Sequence, residues 1–84
     1  MYTLIADCSN FALEHSIYIV DPSGQVVALA RLSSNELASY AANDAKIDGI
    51  KLSGPEEFCL GLKEEIEKDL ALNYASRNIK VEVI

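Results

Sequence analysis

Residues 16–32 read SIYIVDPSGQVVALARL, and this stretch decides the fold. Its two apolar runs are rich in β-branched residues, which are typical of strands. Between them, residues 21–24 are a turn signal, because proline fits position i+1 of a type I turn and glycine supplies a positive φ. We expect Asp21 to be the first residue of this turn and to accept a backbone hydrogen bond. The stretch therefore predicts an antiparallel hairpin.

A nearly continuous apolar run precedes the hairpin. Residues 2–7 include the β-branched Thr3 and Ile5, and a run of this length favours a strand covered on both faces over a helix. We therefore expect a central strand here, joined to the hairpin by the polar connector 8–15.

Two helix starts follow the hairpin. Ser33 and Glu36 have the S-x-x-E spacing of a capping box, which satisfies the free N–H groups at the start of a helix. Ser53 and Glu56 repeat that spacing, with Pro55 at the first helical position. The sequence therefore predicts two helices, separated by a break at 47–49 and a short strand at 50–52.

The apolar spacing fixes how far each helix extends and which side it buries. The first helix is expected to end within 43–46, with its apolar side formed by Leu37, Tyr40, Ala41 and Ala45. The second is expected to open at the capping box 53–56, to end within 73–78 and to bury a stripe of Phe58, Leu62, Ile66, Leu70 and Tyr74. Its acidic residues 64–67 are expected on a solvated face. The alternating residues 79–84 predict a final strand.

The element order β-β-β-α-β-α-β predicts an α+β fold with two layers. The hairpins make the first three strands antiparallel, and each helix returns the chain to a parallel neighbour by a right-handed crossover. A five-stranded mixed sheet of order 3-2-1-4-5 follows. Because both crossovers have the same hand and the same direction across the sheet, both helices are expected on one face.

The other face of this sheet would then lack a cover, although its strands are apolar. Its exposed set is predicted to include Ile5, Tyr18, Val20, Val27 and Leu29. Soluble monomers rarely expose a patch of this kind, so the economical solution is a homodimer related by a two-fold axis. The contact could use the sheet face or an edge strand. The alternative is that the connector 8–15, with Phe11 and Leu13, folds over this face.

Composition narrows the functional class. The 84 residues fit one domain, 1–84, and 13 acidic against seven basic residues give a net charge of −6, which opposes binding to nucleic acid. No apolar stretch is long enough for a membrane span. Cys8 and Cys59 are too few and too far apart for a disulfide framework or a metal motif, so we expect free thiols, a cytoplasmic location and no cofactor.

The element order, with an acid ending the first strand in residues 4–10 (LIADCSN), resembles the core of the ribonuclease H-like superfamily. In that family, carboxylates at the ends of strands 1 and 4 hold two divalent metals that bind a phosphodiester. The resemblance places Asp7 at the first of these positions and makes it a candidate metal ligand. The strand 4 position falls in residues 52–54, which contain no carboxylate, so the resemblance implies the fold without nuclease activity.

A hydrolase triad is the other catalytic arrangement that the residues could suggest. His15 is the only histidine, and Asp7, Ser9 and Ser16 are near it in sequence. No G-x-S-x-G nucleophile elbow accompanies them, so we expect His15 to cap a turn or lie at the surface. Gly61 interrupts the second helix, where we expect another backbone to approach closely.

These observations predict a non-catalytic interaction or scaffold protein that acts by self-association or by binding a protein partner. Its size and lack of a catalytic set are similar to accessory proteins of prophages and other mobile elements. One alternative is a relic of a metal-dependent nuclease or phosphatase centred on Asp7, completed by Glu14, Asp21 or a partner chain. Another is an acidic decoy for a nucleic-acid-binding protein.

Overall fold

A computed structural model describes residues 1–9 and 13–84 of the chain. In chain order the elements of these residues are β1 (Tyr2–Asp7), β2 (His15–Val20), β3 (Val26–Leu32), a 3-10 turn (Ser34–Glu36), α1 (Leu37–Ala42), β4 (Ile47–Ser53), α2 (Glu56–Asn73) and β5 (Lys80–Val83). This order confirms the predicted β-β-β-α-β-α-β arrangement of an α+β fold.

The five strands form one mixed sheet of order β3-β2-β1-β4-β5, as predicted. β2 is antiparallel to both β1 and β3, whereas β4 is parallel to both β1 and β5. The first strand of the chain is therefore the central strand, paired with β2 on one edge and with β4 on the other. β3 and β5 form the two edges of the sheet.

Both helices lie on one face of this sheet. Side chains alternate between buried and more exposed along β1, β2 and β4, and the buried set is always the one that points to the helices. α1 and α2 contact each other and both contact β4. The buried strand residues include Leu4, Ala6, Ile17, Ile19, Ile50, Leu52 and Val81.

The hairpin between β2 and β3 turns as its sequence predicts. Gly24 has a φ of 89° and donates its N–H to the carbonyl oxygen of Asp21 over 2.9 Å. The Asp21 carboxylate accepts hydrogen bonds from the N–H groups of Ser23 at 3.0 Å and Gln25 at 2.9 Å. These hydrogen bonds lower the pKa of Asp21, the largest contribution coming from the Ser23 hydroxyl.

The capping box predicted at the start of the first helix is present. The N–H of Ser33 donates to the Glu36 carboxylate over 2.9 Å, and this hydrogen bond lowers the pKa of Glu36. α1 ends at Ala42, with Asn43 as its C-cap. The predicted apolar side is wrong at two positions, since Tyr40 and Ala45 are exposed while the smaller Ala38 and Ala42 are buried.

The second helix ends within the predicted range, but it begins at Glu56, one residue after the predicted first helical position at Pro55. α2 buries Leu62, Ile66 and Leu70 of the predicted stripe, and Phe58 and Tyr74 pack at its margin. The second capping box is wrong, because Ser53 is the last residue of β4 and Pro55 is the N-cap, with no side-chain capping bond. The parallel pairing of Ser53 with Asp7 extends β4 beyond the predicted strand.

Gly54 is the residue at which β4 leaves the sheet for α2. Its φ is 147°, and a Cβ atom there would lie 2.8 Å from the carbonyl carbon of Cys8 and 3.0 Å from the nitrogen of Ser9. The close approach of two backbones expected at Gly61 therefore occurs at Gly54. Gly61 itself is exposed, and nothing lies within 4 Å of the place its Cβ would occupy.

Arg77 ties the segment after α2 to the turn between α1 and β4. Its guanidinium donates to the carbonyl oxygens of Ile47 at 2.6 Å, Asp44 at 3.3 Å and Ala42. It also reaches the carbonyl of Ala41 at 3.5 Å. The carbonyl of Ala42, the last residue of α1, thereby gains a hydrogen-bond donor from a distant side chain.

Candidate interaction surface

The side of the sheet without helices is a continuous surface, which we call the open face. Strand alternation and register assign to it Thr3, Ile5, Asp7, Ser16, Tyr18, Val20, Val26, Val27, Leu29, Arg31, Gly49, Lys51, Ser53, Lys80 and Glu82. The strand registers arrange these residues in rows. The middle row crosses all five strands in the order Leu29, Tyr18, Ile5, Lys51, Glu82.

The β3-β2-β1 half of the open face is apolar. It contains all five residues that the sequence predicts for an interface, and Leu29 is the most exposed of them at 72%. Tyr18 is 37% exposed and Val27 is also exposed, whereas Ile5 and Val20 are half-buried. These side chains adjoin one another through the pairs Ile5 with Tyr18 and Tyr18 with Leu29. The apolar half is therefore one patch.

The β4-β5 half of the open face is charged. Lys51 lies opposite Glu82 across the two strands, and Lys80 lies opposite Gly49. The missing side chain at Gly49 contributes to a shallow depression of about 600 Å³, whose lining also includes Asp48 and Asn78. The open face therefore changes from mostly apolar to mostly charged at the boundary between β1 and β4, and Asp7 and Arg31 are the charged residues of the apolar half.

An irregularity bends the edge strand β3. Val20 pairs with Val26 while Ile19 pairs with Ala28, so Val27 is an extra residue on β3. The exposed part of β3 lies near this irregularity and includes Val26, Val27, Ala28 and Leu29. This part of β3 extends beyond the cover of the helices.

The connector 8–15 is the alternative cover for the open face, but its described residues do not cover the apolar half. Leu13 is 93% exposed, so it does not pack on the open face. Phe11, the other apolar residue of that alternative, lies outside the described residues.

Asp7 lies at the end of β1, in the row of the open face that also contains Ser16 and Ser53. One carboxylate oxygen accepts hydrogen bonds from the hydroxyl of Ser9 at 2.6 Å and from its N–H at 3.0 Å. These two bonds lower the pKa of Asp7, with the hydroxyl contributing most. Asp7 is therefore an ionised carboxylate at neutral pH, held by its own turn.

The acids suggested as partners of Asp7 do not form a metal site with it. Asp21 follows the far end of β2, five residues beyond Ser16, which pairs with Asp7. That separation is about 17 Å at the rise of a strand. Glu14 is exposed before β2. In 1–9 and 13–84, no group of three or more His, Cys, Asp or Glu residues could hold a metal ion.

His15 lies on the helix side of the sheet, and the expectation that it caps a turn or lies at the surface is wrong. It is 3% exposed, and its Nε2 is 2.8 Å from the hydroxyl oxygen of Ser34. Its ring centroid lies 6.1 Å from that of Phe58. Ser16, the next residue of β2, points to the opposite face, so the triad suggested from sequence is not assembled.

The two cysteines meet behind the sheet, which their spacing in the sequence does not indicate. Cys8 follows β1 and Cys59 lies in the first turns of α2, and both are fully buried and free. Burial raises the pKa of both thiols, that of Cys8 to about 11, and the neighbouring thiol of Cys59 adds to the effect on Cys8. Both are protonated core residues rather than nucleophiles.

Comparisons with known proteins leave the family of the chain open. No protein-family model matches it, and no curated protein does. The resemblance to the ribonuclease H-like core therefore stays a prediction that depends on element order and on Asp7. No helix among 1–9 and 13–84 is both long enough and apolar enough to cross a membrane.

Proposed function

We propose that this protein is a non-catalytic association module that forms a homodimer through the apolar half of its open face. The observation that carries the proposal is the exposure of Leu29, Tyr18 and Val27 side by side on a sheet whose two helices both lie on the other face. A large apolar patch on a small domain is typical of a binding surface. We propose a second copy of the chain as the partner, because every chain has the same apolar patch and two such patches can cover each other about a two-fold axis.

The chemistry of the polar groups supports association rather than catalysis. Asp7 is engaged by Ser9, His15 is engaged by Ser34, and the two groups lie on opposite faces of the sheet. The cysteines are buried and protonated near neutral pH. The Ser34 hydroxyl lies beside the His15 ring, but the other ring nitrogen, Nδ1, has no hydrogen-bond partner among residues 1–9 and 13–84, so no carboxylate orients this histidine as in a catalytic triad. Two free thiols also fit a reducing compartment, so the proposal includes a cytoplasmic location.

The proposal is tested with two exposed leucines. Leu29 lies on the open face and is 72% exposed, whereas Leu72 lies on α2 and is 81% exposed. Burying the exposed part of Leu29 in both copies stabilises a dimer by about 2–4 kcal/mol, at 1.5–3 kcal/mol for a whole side chain. Leu29→Ser should therefore weaken the dimer by about a hundredfold, while Leu72→Ser should not.

Sedimentation equilibrium of the purified chain over a micromolar concentration series measures the effect. We expect twice the 9.2 kDa chain mass for the wild type and for Leu72→Ser, and a shift to the monomer for Leu29→Ser. A wild-type chain that stays at 9.2 kDa throughout the series would refute self-association.

A further inference from the structure

We propose that the two copies face each other about a two-fold axis that runs along β2, so that Arg31 of each copy forms an ion pair with Asp7 of the partner subunit. This inference rests on the proposed function and specifies its geometry. It makes Arg31 and Asp7 the residues that select the partner and set its position.

The strand register places these two charges symmetrically. Asp7 pairs with Ser16, and Ser16 pairs with Arg31, so the two charged residues flank β2 in one row of the open face. Each lies one strand spacing from Ser16, about 4.8 Å to either side. A two-fold axis along β2, between the two sheets, exchanges the flanking positions and brings each Arg31 over Asp7 of the partner subunit.

The next row matches under the same operation. Tyr18 lies on β2 between Leu29 and Ile5, so Tyr18 meets Tyr18 of the partner subunit, and Leu29 meets Ile5 of the partner subunit. Apolar contacts in one row and ion pairs in the next therefore arise from a single axis. Sheets packed face to face keep their strands within about 30° of each other, a deviation that the long arginine side chain can span.

Other axes lose this match. An axis along β1 places Asp7 on Asp7 of the partner subunit, and it places Leu29 opposite Glu82. An axis along β3 places Arg31 on its own equivalent. An axis across the strands places Arg31 over Val27 of the partner subunit. Like charges in contact, or a charge over an apolar side chain, oppose association, so β2 is the strand that gives a complementary face.

Both charges are available for the partner. Arg31 is exposed, and its guanidinium has no ion pair or hydrogen bond within residues 1–9 and 13–84. Asp7 is ionised near neutral pH, since even its ordinary pKa of 3.8 is well below that range and its hydrogen bonds to Ser9 lower the pKa further. Lys51 and Glu82, on the charged half of the open face, lie outside the area that the partner covers.

Charge reversal tests the geometry. Asp7→Arg places arginine against arginine twice in a homodimer, and Arg31→Asp places aspartate against aspartate twice. Each variant alone should dissociate, and an equimolar mixture should form a heterodimer with two restored ion pairs. Lys51→Asp and Glu82→Arg are matched controls, because they make the same charge changes on the same face without contacting the partner, and they should leave the dimer intact.

A crosslinking measurement is independent of whether Asp7→Arg folds. With a short thiol-specific bifunctional reagent, Tyr18→Cys should link to its own equivalent, whereas Leu29→Cys and Lys51→Cys should not. The native thiols do not interfere, because Cys8 and Cys59 are fully buried.

The outcomes separate the two proposals. Suppose that the wild type is a dimer, that Leu29→Cys crosslinks to its own equivalent and that the charge reversals do not change the dimer. This result would overturn the β2 axis in favour of pairing between β3 edges, but it would still support self-association. A wild-type monomer would overturn both proposals. Dissociation of the single variants with recovery in the mixture supports the β2 axis.

Discussion

Gly54 offers the sharpest test of the packing between the sheet and α2. In Gly54→Ala, the new Cβ would lie 2.8 Å from the carbonyl carbon of Cys8 and 2.9 Å from its oxygen. Carbon atoms at optimal contact are about 3.5–4.0 Å apart. These atoms belong to the backbone just after β1, which cannot rotate away as a side chain can. The φ of 147° at residue 54 is itself unfavourable for alanine.

The magnitude follows from these two costs. A backbone held in a sparsely populated region costs about 1–3 kcal/mol, and overpacking adds about 1–3 kcal/mol. We therefore expect Gly54→Ala to lower the free energy of unfolding by about 2–6 kcal/mol, a large part of the roughly 4–13 kcal/mol typical of a domain of this size. Urea denaturation followed by circular dichroism, at one fixed protein concentration, measures the change.

Gly61→Ala is the matched control, because it makes the same substitution in open space inside α2. Nothing lies within 4 Å of its Cβ position, and alanine is favoured over glycine in a helix by about 0.8–1.0 kcal/mol. The control should therefore raise the melting temperature by about 4–8 °C. If Gly54→Ala is as stable as the wild type while Gly61→Ala behaves as expected, the close approach at Cys8 is not a constraint and our reasoning fails.

Two further predictions concern the polar contacts. Arg77→Met should lower the free energy of unfolding by about 2–3 kcal/mol, because carbonyls of the α1–β4 turn lose a charged donor. Lys68→Met, on the exposed surface of α2, is the control. An equal loss of stability in both variants would contradict this role of Arg77. Asp21→Asn should be less stable than the wild type at neutral pH. The pKa of Asp21 is lowered from 3.8 in the folded chain, so its stabilisation is present above pH 3.8 and is lost as the pH falls through the lower folded value. Denaturation at stepped pH should show the two curves converging in acid, and a constant gap would contradict the assignment.

Local signals in the sequence predict the sheet well. The turn at residues 21–24 has the proline, glycine and aspartate that its geometry needs, and the Asp21 hydrogen bonds form as expected. The strand order then follows from connection rules, because two right-handed crossovers after a meander leave one natural arrangement. The apolar half of the open face follows from the same alternation that buries Ile17 and Ile19.

The local sequence signals do not predict features that depend on contacts between distant parts of the chain. Cys8 and Cys59 meet because α2 packs behind the end of β1, and their separation of 51 residues carries no hint of this. Ser53 has the capping-box spacing, but it pairs with Asp7 as the last residue of β4 and therefore does not cap α2. His15 is different, because its period-two spacing from Ile17 and Ile19 already places it on their buried face.

The central place of β1 has a consequence for how the chain is made. β1 can pair with β2, and β2 with β3, once Leu32 has emerged from the ribosome, but the other edge of β1 must wait for β4, which ends at Ser53. At typical elongation rates this wait lasts about 1–4 s, longer than many small domains take to fold. During this time the nascent β1-β2-β3 sheet has an unpaired β1 edge and no helix on either face, so the translation speed between Leu32 and Ser53 sets how long these apolar surfaces stay exposed.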